Sequence, residues 1–107
     1  MIFKGEDKAL EEKVVDMLRT VYDPEVPVDI YELGLIYECE VDVNYNCMIT
    51  MTLTAPNCPA SDTIVADIEN RLNAIEELKS VAVHIVFDPP WDQEMMSEVA
   101  KLQLGFM

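Results

Sequence analysis

The residues best suited to chemistry fall in one short stretch, Thr54-Ala55-Pro56-Asn57-Cys58-Pro59. It closes a segment with strand alternation and opens one with helical spacing. Pro59 fits the first helical position, where a missing N–H costs nothing. Cys58 then stands at or next to the N-cap, where the first-turn amides converge and the helix dipole favours negative charge. A thiol so placed ionises more easily than a free one, and the thiolate is both nucleophile and metal ligand. The competing reading is a buried structural cysteine, or a cap that serine could replace. The flanking prolines and the helix start favour the functional one.

Other candidates depend on their distance from that sulfur. Asp23 and Glu25 lie in Asp23-Pro24-Glu25-Val26-Pro27. By periodicity alone they are turn residues. Beside Cys58 they would be hard oxygen ligands or proton acceptors. Thr54 precedes the cysteine by four residues, and its hydroxyl could bond a sulfur or a cofactor. A β-branched strand residue is an equally good account of it. His84 is the only imidazole available to activate a thiol nucleophile, but its place in an alternating strand reads as solvent-facing. Trp91, after two prolines, is either a packing anchor or a docking aromatic.

These residues need a scaffold. A helix is expected from about Glu6 to Tyr22, with Leu10, Val14, Met17, Leu18 and Val21 on one face. Asp23-Pro24 should stop it. An ordered loop and a turn over Tyr31–Gly34 lead to a strand of about Leu35–Val43, with Leu35, Tyr37, Cys39, Val41 and Val43 inward. Asn44-Tyr45-Asn46 forms a hairpin turn, since asparagine tolerates positive φ. The next strand, about Cys47–Ala55, puts Cys47, Ile49, Met51 and Leu53 in the core and Thr50, Thr52 and Thr54 on the polar face. That turn pairs Val43 with Cys47 and Cys39 with Met51, so Cys39 and Cys47 are not opposite and no disulfide is expected. A helix over about Pro59–Ile75 follows, with Ile64, Val65, Ile68, Leu72 and Ile75 as its buried stripe. Next comes a strand over about Val81–Phe87, with Val81, Val83, Ile85 and Phe87 alternating with Ala82, His84 and Val86. The last is a short helix capped by Asp92, with Met95, Met96, Val99 and Leu102 inward and Gly105 at its end. The order α-β-β-α-β-α gives a compact two-layer α+β domain, 1–107, with helices on one face of a three-stranded sheet.

Composition removes several function classes. The chain has 107 residues, 21 acidic against seven basic, and a net charge of −14. Such acidity opposes nucleic-acid backbones and anionic membranes. No apolar run is long enough to span a bilayer, and the first residues lack a signal-peptide pattern. A cytoplasmic protein with free thiols is therefore expected. Three cysteines without a CxxC pair, and one histidine, argue against a metal site complete in one chain.

Three motifs then acquire a common meaning. Asp23-Pro24-Glu25 followed by Leu33-Gly34-Leu35-Ile36, then Thr54-x-Pro56-x-Cys58-Pro59, then Asp88-Pro89-Pro90-Trp91 resemble the SufT/PaaD-like family of metal–sulfur cluster assembly proteins. The resemblance runs from the first helix to Gly105. It implies an α+β fold and a non-enzymatic role in assembling or carrying an iron–sulfur cluster, or in maturing client proteins. Cys58, Asp23, Glu25 and Thr54 fall on the family's motif positions, Cys58 on its characteristic cysteine. The implied partners are the iron–sulfur assembly machinery and client apoproteins. Because clusters need about four ligands, a cluster held transiently by Cys58 would be shared with a second subunit, as in a homodimer, or with a partner thiol. The alternative is an interaction adaptor that never touches iron.

Overall fold

The computed structural model describes residues 1–23, 26–54 and 61–105. Strand β1, Ile2–Lys4, leads to helix α1, Lys8–Leu18. The Asp7 side chain caps α1 by accepting a hydrogen bond from the Leu10 amide at 3.1 Å. Leu10, Val14 and Leu18 bury one stripe of this helix, each worth about 1.5–3 kcal/mol of apolar transfer. The helix stops at Leu18, four residues before the expected end. Val21 gives its carbonyl to the Ile30 amide at 2.9 Å, and Tyr22 pairs with Asp29 in an antiparallel bridge. The chain here turns extended before Pro24 is reached.

Strands β2, Ile36–Val41, and β3, Asn46–Met51, form an antiparallel hairpin. Helix α2, Ser61–Asn73, and strand β4, Ser80–Ile85, follow. The sheet has four strands in the order β1-β2-β3-β4, with both outer pairs parallel. It therefore has one strand more than expected, and the order begins with a strand. With only three residues, β1 is too short to carry a periodic signal. It is held by the β2 ladder and by Lys4, whose ammonium lies 2.7 Å from Glu38.

Two further expectations fail at the hairpin. One residue is in excess between Ile36 and Glu38 on β2, and such a bulge reverses the faces beyond it. Ile36, opposite Met51, is buried, while Tyr37 turns out and its hydroxyl donates to the Pro89 carbonyl at 2.8 Å. The turn is also longer. Asp42 accepts from the amides of Asn44 and Asn46, and Tyr45, not an asparagine, takes positive φ at 64°. Val41 then pairs with Cys47 and Cys39 with Ile49, leaving Val43 exposed. The two thiols are diagonal neighbours, both buried and free, with sulfurs 3.8 Å apart.

Helices α1 and α2 pack together over one sheet face, where Ile64, Ile68 and Leu72 meet Cys39, Cys47, Ile49 and Met51 in a single core. After β4 the chain makes a 3₁₀ turn, Gln93–Met95, capped by the Asp92 side chain, and then helix α3, Glu98–Leu104. Ser97, not Asp92, caps α3, and Gly105 ends it at φ 79°. Of the four residues expected inward here, Met96 alone is buried; Met95, Val99 and Leu102 are exposed. The later cap rotates the helix so that Ala100 faces the core instead.

Candidate functional site

One end of the sheet carries Asp23 and Thr54. The loop after α1 is tied to it by a relay of backbone bonds: Ile30 to Val21, Leu35 to Ile30 at 3.2 Å, and Thr52 to Leu35 at 2.9 Å. Asp23 and the strand end bearing Thr54 therefore share this end. Asp23 is buried, at 3% exposure, and Thr54 is half-buried in a bend. Glu25 and Cys58, with the Pro59 helix start, lie outside the described residues. Two of the four predicted site residues are thus brought to one end of the molecule.

The Leu33-Gly34 turn braces this region. Gly34 has φ 79°, and a Cβ there would stand 2.2 Å from the Met95 carbonyl oxygen. Close approach, as well as the left-handed backbone, requires glycine. The Trp91 indole donates to the Leu33 carbonyl at 2.8 Å, and the Ser97 amide to that of Glu32 at 2.9 Å. Trp91 packs against the core, which makes it an anchor.

Two polar residues near this relay escaped the sequence reading. Asp29 is 9% exposed; its carboxylate accepts from the Glu32 amide at 3.0 Å. Burial pushes its pKa up, against that hydrogen bond. Thr52 is fully buried, and its hydroxyl has no hydrogen-bond partner among the described residues. Alternation placed Thr52 on an open polar face. Consecutive burial of Met51, Thr52 and Leu53 shows that both faces are covered at this end. A loop relay leaves no periodic trace, so no sequence signal marked either residue.

Cys39 and Cys47 are both buried, out of reach of an external metal. Contact with the Cys47 sulfur and burial both raise the Cys39 pKa, keeping that thiol protonated. His84 is exposed on β4. Among the described residues, no three His, Cys, Asp or Glu side chains are grouped to hold a metal ion. The donor set near Asp23 and Thr54 is carboxylate and hydroxyl, and any thiolate there must come from beyond the described residues. A cleft of about 1010 Å³, lined by Phe3, Lys4, Asp7, Glu40, Asp42 and Tyr45, is at the hairpin end, away from Asp23 and Thr54. No helix among the described residues is long and apolar enough to cross a membrane.

Comparison with known proteins places the chain in a family. The profile of the family described as "Iron-sulfur cluster assembly protein" matches residues 11–85. A Porphyromonas gingivalis protein named "Fe-S protein maturation auxiliary factor" is 50% identical over 97 residues, 91% of this chain and 92% of the relative. Its Bacillus subtilis counterpart, YitW, is 42% identical over 99 residues, 92% and 97% of the two chains. The crystal structure of a DUF59 domain from Bacillus anthracis superposes with a TM-score of 0.87 at 42% identity, covering 94% of this chain and 95% of that one. The chain belongs to the family of iron–sulfur cluster assembly proteins.

Proposed function

We propose that this chain is an iron–sulfur protein maturation factor that takes a cluster as cargo, without catalysing a reaction of its own. Cys58 is the thiolate that bonds the cluster, and Asp23, Glu25 and Thr54 are its polar surroundings. The observation that supports this most is the shared sheet end of Asp23 and Thr54, because Cys58 follows Thr54 by four residues in sequence. A cluster needs about four ligands, so the remainder come from a second copy or from the thiols of a partner. Incomplete ligation suits transfer, since each exchanged ligand lowers the barrier to release. The partners are then the assembly machinery that loads the chain and the apoproteins that unload it.

Anaerobic reconstitution with iron and sulfide tests the reading. Wild type is expected to gain visible sulfur-to-iron absorption and Cys58→Ala to lose it, while Cys39→Ala retains it. Equal absorption by wild type and Cys58→Ala would overturn the thiolate role. An adaptor that carries no cluster is the second reading, and the exposed apolar side of α3 is the observation in its favour.

A further inference from the structure

Helix α3 is apolar on two opposite sides. Ala100 is buried and Leu104 is packed against the core, whereas Val99 is 53% and Leu102 63% exposed. At 100° per residue, Val99 and Leu102 fall within one arc of the helix, roughly opposite Ala100 and Leu104. A helix with apolar residues on opposite sides is normally enclosed, yet only half of this one is. Met95, also exposed, lies in the turn just before it. The helix lies beyond residues 11–85, the part matched by the family profile.

The charges around it define what would cover it. Residues 86–105 hold Asp88, Asp92, Glu94 and Glu98 against a single base, Lys101. Lys101 is already engaged by Glu94 at 3.3 Å, with 23% of its side chain exposed, whereas the Glu94 side chain is 86% exposed. Lys101 neutralises Glu94 in part, while Asp88, Asp92 and Glu98 have no ion pair among the described residues, so the apolar strip stands in a net-acidic segment. A second copy would bring the same acids of residues 86–105 against this strip, which disfavours self-pairing through α3. We infer that the outward side of α3 is a docking surface for a basic amphipathic helix of a partner protein, apolar residues against Val99 and Leu102 and lysines or arginines toward Glu94 and Glu98. This surface is independent of iron and of Cys58, so its test and the reconstitution test can fail separately.

The experiment uses the ¹⁵N-labelled full chain without metal. The probe is a synthetic amphipathic helix made of leucine and lysine; the control is the same peptide with glutamate for lysine. The lysine peptide is expected to shift amides of Met95–Gly105 and the glutamate peptide to leave them unmoved. V99S/L102S should weaken binding about tenfold or more, and E94Q/E98Q should weaken it and reduce its salt dependence. Both double variants change exposed side chains, and E94Q/E98Q keeps the proposal falsifiable should V99S/L102S misfold. Absence of binding, shifts elsewhere on the molecule, or equal affinity for V99S/L102S would overturn it. Self-association of the protein alone, abolished by V99S/L102S, would overturn it too, because the occupant would then be a second copy.

Discussion

Asp29 and Asp42 both accept hydrogen bonds from backbone amides, yet they affect stability in opposite senses. At Asp29 burial outweighs the hydrogen bonds and raises the folded pKa above its ordinary 3.8. The folded state then holds its proton more tightly than the unfolded one, so ionisation costs stability as pH rises through that range. Asp29→Asn keeps an oxygen for the Glu32 amide and removes the charge. It should be more stable than wild type at neutral pH and lose that advantage in acid, below the ordinary carboxylate pKa. Asp42 is the reverse. Hydrogen bonds from the Asn46 backbone and side chain and the Asn44 amide lower its pKa. Its contribution is present above the unfolded value and is lost as pH falls through the folded one. Asp42→Ala should therefore destabilise at neutral pH and differ little from wild type in strong acid. Urea unfolding of both variants between pH 2 and pH 7 (about the span over which carboxylates titrate) checks the signs. The acceptor role of Asp42 belongs to ordinary turn chemistry. Burial of Asp29 was not legible, because it comes from segments distant in sequence.

Among the elements, the legible ones were those whose own periodicity sufficed. The buried stripes of α1 and α2 and the inward residues of β4 follow from spacing alone, as Leu10, Val14, Ile64, Ile68, Val81 and Val83 illustrate. The bulge at Tyr37, the three-residue β1 and the outward turn of Val99 are settled by neighbouring segments instead. Gly34 shows how tightly one such contact is built. Gly34→Ala forces a Cβ into the Met95 carbonyl and strains φ at 79°. It should cost more than about 2 kcal/mol and loosen the turn that holds Trp91. Gly105 has the same φ but nothing within 4 Å of an added Cβ, so Gly105→Ala should cost only about 1 kcal/mol. Denaturant unfolding of the two variants separates backbone strain from the clash; equal losses would mean that Met95 moves away freely. The part of the candidate site named from sequence was the Cys58 motif and the Asp23-Pro24-Glu25 stretch, of which Cys58 and Glu25 lie outside the described residues. The bracing of that site by Trp91, Gly34 and the Leu35–Thr52 bond was not legible, since each joins segments 17 to 61 residues apart.

Across the whole molecule, the basic side chains are almost all in use. Lys4, Lys8, Lys13, Arg19, Arg71 and Lys101 each lie against a carboxylate, which leaves Lys79 as the remaining base. With 21 acidic residues against seven basic ones in the chain, carboxylates outnumber cations three to one. They are confined within a radius of gyration of 13.4 Å, close to the roughly 13 Å of a compact chain this long. At about 0.01 M salt the screening length, about 30 Å, is comparable to the 40 × 26 × 23 Å extents of the molecule, so these charges repel one another across most of it; at about 0.15 M it shrinks to about 8 Å. The exposed ion pairs oppose the trend, because they weaken with salt, but pairs of that kind are worth little each. Repulsion therefore decides the sign. The urea midpoint should rise as sodium chloride increases over this range, with no change in slope, and the gain should shrink near pH 4, where carboxylates are partly protonated. A midpoint that falls with added salt would mean that the six ion pairs outweigh the surplus acids, and that the net charge does not govern how this domain responds to its medium.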